Sequence, residues 1–508
     1  MNTVLKHYLI PAFCLFLLFV IIHLPLGLRA QTASWDPIQN APAYSLAWHH
    51  KLALPLVKAR KPTYELTVGV RPPVYFLILA PLFKIFGVYR WVALILSLIP
   101  AALYFCIVYI MARWLTSDRW SALFSALLLS FGETGVVMAK AHSWDALSAM
   151  FFAFSLLIFL LTRRYSAVPR KIFLVISGIL LSLATQTYAV YFLMFFSFIV
   201  YLFFEEKSDS AHRIQEILLF SFAFVIPFVI WFHFIEDIHT FAENILGFII
   251  KEKIVASSAS RYPGDNWFVV RLKEVYRNYG SFTFGTTILL IAGSLFLIRK
   301  FLQYKRLYVI FVLLPALLIF LSSLCAPQYF VLTAPLLFIG AGAFVAYLFS
   351  LVFNNTLENR KKRIFIAIFT VILIGWHIIP GIVARYAMLI KDWRIRDFAA
   401  YERELLRWIP PGSRVVGLGE NWYALTRTGS TMYMLDSSDD SVLDVNQLDY
   451  VVVPTIEYFL SFSGFVSSFV KEHCVEIARI GKGAYNYRVT PWDSCSSGLS
   501  SIIYKVKK

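Results

Sequence analysis

The stretch RPPVYFLILAPLFKIFG, residues 71–87, decides how the whole chain is threaded through a membrane. Residues 73–86 are apolar, but they fall short of the roughly 20 residues that a helix needs to cross a bilayer. Pro81 lies in the middle of the run, Lys84 lies near its end, and Gly87 is a natural stop for a helix. We therefore predict a short re-entrant or interfacial helix here and not a membrane span.

Composition identifies the broad class of the chain. Of its 508 residues, 59% are hydrophobic and 15% are charged, which is far more apolar surface than one soluble core can bury. The chain is therefore predicted to be a polytopic membrane protein in contact with the lipid bilayer. Its net charge of +17 would suggest a nucleic-acid partner in a soluble protein, but here the basic residues fall mainly in short loops between apolar runs. No nucleic-acid partner is predicted.

Eleven apolar runs are predicted to be transmembrane helices, in addition to the short helix at 73–86. They cover residues 8–28, 90–112, 120–138, 144–161, 172–187, 188–204, 216–235, 283–299, 307–324, 328–351 and 363–385. The fold class is therefore a polytopic α-helical membrane protein, and residues 1–390 form its transmembrane domain.

Basic residues provide a check on this threading, because short cytoplasmic loops are rich in Lys and Arg. If the N-terminus is inside, every basic cluster of the short loops falls inside: Arg113 and Arg119; Arg163, Arg164, Arg170 and Lys171; Lys207 and Arg213; Arg299, Lys300, Lys305 and Arg306; Arg360, Lys361, Lys362 and Arg363. Counting 73–86 as a full span would move these clusters outside. The odd number of spans places the C-terminal tail outside, and we expect a bacterial inner (plasma) membrane.

The tail, residues 391–508, is predicted to be a small soluble extracytoplasmic domain of the α/β or α+β class. Short apolar runs bounded by Gly, Asp and Ser predict strands at 415–418, 432–435 and 450–453, and helical spacing is found at 397–408 and 457–470. Cys474 and Cys495 in this tail can pair if it faces an oxidising compartment.

Two longer loops, 29–72 and 236–280, are predicted to lie outside, and the first contains Asp36 followed by Pro37. Asp before Pro commonly begins a helix, because the carboxylate caps free N–H groups and proline needs no partner. The alternative is that Asp36 has a catalytic role. Just beyond the first span, a carboxylate can take a proton from an acceptor hydroxyl as that hydroxyl attacks.

Basic residues in the same two loops are candidates for binding phosphate. Arg71 precedes a proline pair that must open a helix, and a guanidinium beside a helix N-terminus suits a phosphate through bidentate hydrogen bonds and the helix dipole. The alternative for Arg71 is an interfacial anchor for lipid phosphates. Arg261 either belongs to a surface helix that caps the bundle or helps to hold an anionic lipid head group.

A third outside element, Lys140-Ala141-His142-Ser143-Trp144-Asp145, leads directly into an apolar helix. Asp145 is either the cap of that helix or a second acid of the site. If the turn folds against the first loop, Asp36 and Asp145 can share a divalent cation, with His142 as a further ligand. A solvated loop histidine is the commoner role for His142.

The order of these elements resembles the GT-C class of membrane glycosyltransferases, within it the protein O-mannosyltransferases and the bacterial aminoarabinose transferase acting on lipid A. Asp36 stands where that group has an acid, often Asp-Glu, in the first outside loop. The stretch 71–87 resembles its basic-Pro-Pro stretch ending in Phe-Gly, and Ser143-Trp144-Asp145-Ala146-Leu147 resembles its second acid position. Gln328-Tyr329 with Pro335 resembles an Arg-Tyr and proline pattern in a late span.

The resemblance implies transfer of a sugar from a polyprenyl-phosphate donor, with inversion, to an acceptor outside the cytoplasmic membrane. The sugar would be of the hexosyl, mannosyl or aminoarabinosyl type, and the acceptor a lipid, glycan or protein. Asp36 would act as general base with Asp145 as a second catalytic acid, and Arg71 would hold the departing phosphate. The other candidate substrate-binding residues are Lys140, His142, Arg261, Gln328 and Tyr329.

Three positions depart from the family pattern: Pro37 replaces the second acid, Gln186 stands near a position that is often lysine, and Gln328 replaces the arginine. These changes leave the sugar and the metal requirement open. The competing hypothesis is a transporter or flippase for a lipid or lipid-linked sugar. Such a protein would need ionisable residues deep in several spans, and the middles of the predicted spans contain almost none.

Overall fold

The computed structural model describes residues 8–29, 40–49, 73–140, 145–162, 167–205, 210–229, 269, 284–300, 305–321, 332–353, 359–394, 396–417, 421–434, 445–455, 464–481, 485–487, 495–497 and 500–508. The chain divides into two compact units. The first comprises Met1–His23, Leu98–Ala139 and Trp144–Val383, and the second comprises Leu24–Ser97, Lys140–Ser143 and Ala384–Lys508. The predicted domain boundary at residue 390 therefore lies within the last segment of the second unit.

Helices dominate the described part of the chain up to Lys391. In chain order they are α1 (Ile10–Arg29), α2 (Ala41–His49), α3 (Val74–Phe86), α4 (Arg90–Thr116), α5 (Arg119–Phe131), α6 (Glu133–Lys140), α7 (Asp145–Leu161), α8 (Ala167–Thr187), α9 (Phe192–Phe203), α10 (Ser210–Val225), α11 (Phe284–Lys300), α12 (Lys305–Tyr308), α13 (Leu314–Leu321), α14 (Ala334–Phe353), α15 (Arg360–Ile378) and α16 (Ala384–Lys391). A 3₁₀ turn (Ala189–Tyr191) precedes α9, and π-helical turns join α12 to α13 (Val309–Leu313) and α15 to α16 (Ile379–Val383).

Every predicted span contains a helix. Among the described residues, five helices are long and apolar enough to cross a membrane, or six if α5 and α6 together form one span. The mostly helical character with several apolar helices is thus confirmed, whereas the count of eleven spans stays a prediction.

The short helix predicted at 73–86 is present as α3. It is 13 residues long, contains Pro81, and ends at Gly87, whose φ of 83° is a left-handed conformation that favours glycine. The Gly87 N–H donates to the carbonyl of Phe83 at 2.9 Å and closes the last turn. At 1.5 Å per residue this helix is about 20 Å long, short of the roughly 30 Å of a bilayer core.

In the first unit, α14 packs between α5 and α11 through small residues. A Cβ on Gly340 would come within 2.8 Å of the Gly293 carbonyl oxygen of α11, and one on Gly342 would come within 2.2 Å of Ser125 Oγ of α5. In lipid, burying apolar side chains gives little driving force for helix association. Close backbone approach of this kind provides the packing contacts that drive it instead. Ser155 of α7 and Ser177 of α8 add reciprocal hydrogen bonds, each hydroxyl donating to the other's carbonyl at 2.8 and 2.9 Å.

Two buried histidines hold the bend between α5 and α6. These helices meet at 64° across Gly132. Just before the break, His23 Nε2 lies 2.9 Å from Ser130 Oγ, and His377 Nε2 lies 2.7 Å from the Leu128 carbonyl. The other His377 nitrogen, Nδ1, lies 2.8 Å from the Thr286 hydroxyl. Both rings therefore hydrogen-bond inside the bundle, a structural role that the sequence reading of the spans overlooked.

The tail of the second unit contains a five-stranded sheet. Its elements are α17 (Phe398–Trp408), β1 (Arg414–Gly417), α18 (Trp422–Arg427), β2 (Thr431–Met434), β3 (Tyr450–Pro454), α19 (Gly464–His473), β4 (Cys474–Gly481), β5 (Tyr485–Tyr487), β6 (Cys495–Ser497) and β7 (Ser500–Val506). The order is β2-β1-β3-β7-β4, with β1 parallel to β2 and β3, and β7 antiparallel to β3 and β4. Strands β5 and β6 form a separate antiparallel pair.

The tail matches the predicted class and differs from it in detail. Strands β1, β2 and β3 lie where they are predicted, but β4 and β7 were not predicted. The described helix α19 covers the second half of the predicted 457–470 helix, whose first residues lie outside the described residues. Cys474 is a buried free thiol in the structure, and the side chain of Cys495 lies outside the described part of the chain, so their pairing stays a prediction.

The close packing of α14 against α5 predicts that one methyl group added at Gly342 will destabilise the protein. Gly342→Ala should lower the free energy of unfolding by about 1–3 kcal/mol, because the new Cβ would press on a hydroxyl and on backbone that cannot move without shifting α5. Gly375→Ala is the matched control, since its Cβ would have nothing closer than Ile379 Cδ1 at 3.8 Å. Thermal unfolding of both variants in the same detergent measures the difference, and equal midpoints would contradict the tight crossing.

Candidate functional site

The predicted site residues fall mainly outside the described residues. Six of the predicted site residues are not among the described residues: Asp36, Arg71, His142, Arg261, Gln328 and Tyr329. Lys140 is described only by its backbone, as the last residue of α6, and Asp145 is the first residue of α7. The described segments that flank these positions define the surroundings of the candidate site.

A buried hydrogen-bond network joins the chain just after Asp36 to the chain just after Arg71. Asn40, which begins α2, accepts a hydrogen bond from the Tyr75 hydroxyl of α3 through Oδ1 at 2.9 Å. Asn40 Nδ2 donates to the Tyr423 hydroxyl oxygen of α18, also at 2.9 Å. All three side chains are buried, so each polar atom depends on its protein partner.

Asn40 also begins its own helix. Its carbonyl accepts from the N–H groups of Ala43 and Tyr44 at 3.1 and 3.3 Å, which is the hydrogen-bonding pattern of a first helical turn. The side-chain amide is left to pair with Tyr75 and Tyr423. One residue therefore sets both the start of α2 and its attachment to α3 and α18.

An aromatic cluster surrounds this network. Trp422 of α18 is 1% exposed, and its ring centroid lies 6.2 Å from that of Tyr44 and 6.4 Å from that of Phe83. Nearby, the Arg427 guanidinium lies over the Tyr89 ring at 4.5 Å and pairs with Glu402 at 2.5 Å. The sheet-bearing tail therefore packs directly on α2 and on the end of α3.

A second contact of the tail is with the end of α1. Arg29 lies over the Trp393 ring at 4.5 Å and 3.3 Å from the carboxylate of Asp397, which caps α17 through the Ala400 N–H. Burial opposes ionisation of Asp397, but the Ala400 N–H and the Arg29 guanidinium outweigh it and lower the pKa of the carboxyl. The C-terminal ends of α1 and α16 thus lie at the same face of the second unit.

In the first unit, Asp145 opens α7 beside a group of buried hydroxyls. The Ser148 hydroxyl donates to the Asp145 carbonyl at 2.9 Å. Tyr191 lies beside Ser148 and within electrostatic range of Asp145 and Tyr104. The Tyr104 and Tyr191 hydroxyls are fully buried and make no hydrogen bond to the part of the chain that the structure describes.

Unsatisfied buried hydroxyls cost about 1–3 kcal/mol each, so this pair indicates a polar surface that a ligand or water completes. Gln186, at the end of α8, belongs to the same stretch of chain as Tyr191. Its Nε2 donates to Ser182 Oγ at 3.1 Å, and its Oε1 has no partner among the described residues. These three side chains therefore have hydrogen-bonding capacity that the described residues leave unused.

The predicted metal site stays a prediction. Only Asp145 of the two predicted carboxylate ligands lies among the described residues, and within those residues no group of three or more His, Cys, Asp or Glu side chains is placed to hold a metal ion.

Sequence reasoning missed Asn40, Tyr423, Tyr104 and Tyr191. Tyr75 lies within residues 71–87, but no role was predicted for it. A signal did exist for Tyr104, because a hydroxyl in the middle of a long apolar run requires an explanation. For Asn40 and Tyr423 there was none, since they are 383 positions apart.

Comparisons with known proteins bear on this geometry. The model of the dolichyl-phosphate-mannose-protein mannosyltransferase family matches residues 70–231, which contain Arg71, α3, Asp145 and Tyr191. No curated protein matches the chain in sequence.

Three solved structures share the fold. ArnT from Cupriavidus metallidurans bound to undecaprenyl phosphate is 14% identical, with a TM-score of 0.59 over 98% of this chain and 97% of that one. The oligosaccharyltransferase AglB from Archaeoglobus fulgidus, in complex with an inhibitory peptide and a dolichol-phosphate, is 12% identical, with a TM-score of 0.51 over 92% of this chain and 73% of that one. The arabinofuranosyltransferase AftD from Mycobacteria is 13% identical, with a TM-score of 0.50 over 98% of this chain and 40% of that one.

These likenesses extend over almost the whole chain, and the family match falls on the segment that contains α3 and the start of α7. The chain therefore has the fold of these three membrane proteins, as expected from its resemblance to the GT-C class, and residues 70–231 resemble the mannosyltransferase family.

Proposed function

We propose that this protein transfers a sugar from a polyprenyl-phosphate donor to an acceptor at the outer face of the cytoplasmic membrane, by a single displacement that inverts the anomeric centre. The Asn40–Tyr75 hydrogen bond carries the proposal, because it joins the two chain segments that directly follow Asp36 and Arg71. Asp36 is four positions before Asn40 and Arg71 is four positions before Tyr75, a reach of at most about 14 Å along an extended chain.

The donor class is supported by the comparisons. The family description names dolichyl-phosphate-mannose, and ArnT and AglB were solved with undecaprenyl phosphate and a dolichol-phosphate. An isoprenoid phosphate places its charged group at the membrane surface and its tail among the lipids. The second unit suits that arrangement, because it packs a short apolar helix against a soluble sheet domain.

In the proposed reaction the acceptor hydroxyl attacks the anomeric carbon as the bond from that carbon to the phosphate oxygen breaks. The Asp36 carboxylate takes the hydroxyl proton, and the polyprenyl phosphate leaves as an anion bound by the Arg71 guanidinium. No other proton donor is needed, because the leaving group is already a weakly basic phosphate.

The polar groups near the start of α7 and at the end of α8 are proposed to bind sugar hydroxyls. Asp145 is the second acid in this proposal, and the Tyr104 and Tyr191 hydroxyls, together with Gln186 Oε1, supply hydrogen-bonding groups that the protein leaves unused among its described residues. Lys140, His142, Arg261, Gln328 and Tyr329 are proposed to complete the binding of donor and acceptor. The outer location is supported by the predicted charge pattern of the loops.

Asp36→Asn should abolish most transfer while leaving the fold intact, because the amide is nearly isosteric but cannot accept the proton. General-base catalysis contributes about 10²–10⁴-fold, so a loss of that size is expected. Transfer is measured with purified protein and polyprenyl-phosphate sugars in nanodiscs. Asp118→Asn, at the cap of α5 in a predicted inside loop, is the control and should keep full activity. Unchanged transfer by Asp36→Asn would exclude the base role.

Arg71→Ala should weaken donor binding in particular. A charge-assisted contact to phosphate contributes about 1.5–3 kcal/mol, so the donor Kd should rise on the order of 10- to 100-fold. The exposed Lys84 of α3 is the matched control, and Lys84→Ala should leave the Kd unchanged. A donor affinity that does not change in Arg71→Ala contradicts the phosphate assignment.

Tyr423→Phe tests the positioning role of the Asn40 network. It removes the hydroxyl that accepts from the Asn40 amide and leaves one buried N–H unsatisfied, at a cost of about 1–3 kcal/mol. We expect lower kcat and a weaker donor affinity together, because α2 and α3 lose part of their attachment. Tyr433→Phe, on strand β2 of the same domain, is the control. A Tyr423→Phe variant that loses stability alone, with unchanged kinetics in the folded fraction, would show that the network does not position the site.

A further inference from the structure

A large open groove lies in the first unit between α9, α10 and the α12–α13 segment. Its volume is about 960 Å³. Eight of its lining side chains are apolar, and the other three are Arg213, Lys305 and Arg306. All three basic residues belong to loop ends that the charge pattern predicts to be cytoplasmic, so the groove is distinct from the outer-face site proposed for sugar transfer.

The basic residues form one cluster at the end of the groove. Arg213 Nη1 donates to the Phe203 carbonyl and Arg306 Nη1 donates to the Phe204 carbonyl, each at 3.3 Å. Both guanidinium groups are therefore held against the C-terminal end of α9. Lys305 is next to Arg306 in sequence and lines the same groove, which brings three positive charges to one place.

The rest of the groove is apolar and open. Phe203, Leu313 and Leu317 line it and are 59%, 54% and 52% exposed. The π-helical turn Val309–Leu313 lies in this wall, and such turns widen a helix locally and are frequent at functional sites. From Lys305 to Leu317 the wall rises about 18 Å at 1.5 Å per residue, a length suited to part of an acyl chain.

We propose that this groove binds an anionic phospholipid, with its phosphate on Arg213, Lys305 and Arg306 and an acyl chain along α12 and α13. The charge pattern of the loops accounts for basic residues near this level, but not for two guanidinium groups held on the end of α9 beside an apolar groove. A free phosphate would leave the apolar wall unused, and a zwitterionic lipid would bring a positive group to a positive cluster. Basic pockets between helices on the cytoplasmic side are suited to anionic head groups.

The test uses the full chain in detergent and native mass spectrometry with phosphatidylglycerol and, separately, phosphatidylcholine of the same acyl length. The triple variant Arg213→Gln, Lys305→Gln, Arg306→Gln should bind phosphatidylglycerol on the order of 100-fold more weakly, from about fivefold for each basic residue. Binding of phosphatidylcholine should change little. A matched control, Arg360→Gln, Lys361→Gln, Lys362→Gln, removes three exposed charges from another predicted inside cluster and should keep phosphatidylglycerol binding.

A second variant tests the apolar wall without altering the charges. Leu313→Trp should fill the groove and weaken phosphatidylglycerol binding, whereas Leu295→Trp, at an exposed position of α11 outside the groove, should not. Glycerol phosphate at millimolar concentration should not displace the lipid if the acyl chain contributes. Equal losses in the groove and control variants, displacement by glycerol phosphate, or equal binding of the two lipids would each overturn the proposal.

Discussion

The buried amide of Asn40 is the constraint on which the second unit depends. Its oxygen and its nitrogen are both used, one by Tyr75 and the other by Tyr423, so three elements from distant parts of the chain meet at one side chain. Buried polar groups of this kind stabilise the fold only when each has its partner. The packing of α2, α3 and α18 therefore depends on all three side chains of the network. The aromatic rings of Trp422, Tyr44 and Phe83 then supply the apolar contact area around it.

Different interactions stabilise the interior of each unit. In the first unit, helices approach closely through Gly293, Gly340 and Gly342, and serine and histidine side chains hydrogen-bond across the interfaces. In the second unit, a hydrogen-bonded sheet covers a buried apolar cluster, and α18 of the same domain packs on α3 through Trp422 and Phe83. The first pattern suits a lipid environment, where burial of apolar surface gives little driving force, and the second suits the boundary with water.

Much of the helical framework could be predicted because hydropathy and helix-breaking residues are local signals. The short length of α3 followed from Pro81 and Gly87, and β1 to β3 followed from apolar runs between turn residues. The misses have physical reasons. Strand β4 follows α19 without a turn residue between them, so nothing marks its start. The bend at Gly132 depends on His23 and His377, which lie in other helices. Asp145 lies at the start of α7, where a cap or a second acid was predicted, and its role in a site stays a prediction. The partners of Asn40 depend on tertiary contacts that no local pattern contains.

The separation of Asn40 and Tyr423 along the chain has a consequence for biosynthesis. A ribosome completes α2 and α3 long before it translates α18, and the intervening helices must be inserted into the membrane in the meantime. Throughout that interval the Asn40 amide lacks the partner it has in the finished protein, and the rings around it lack Trp422. The nascent chain therefore matures from its last domain backwards: docking of the tail completes the packing of α2 and α3, and a chain that stops before residue 423 leaves that packing unfinished.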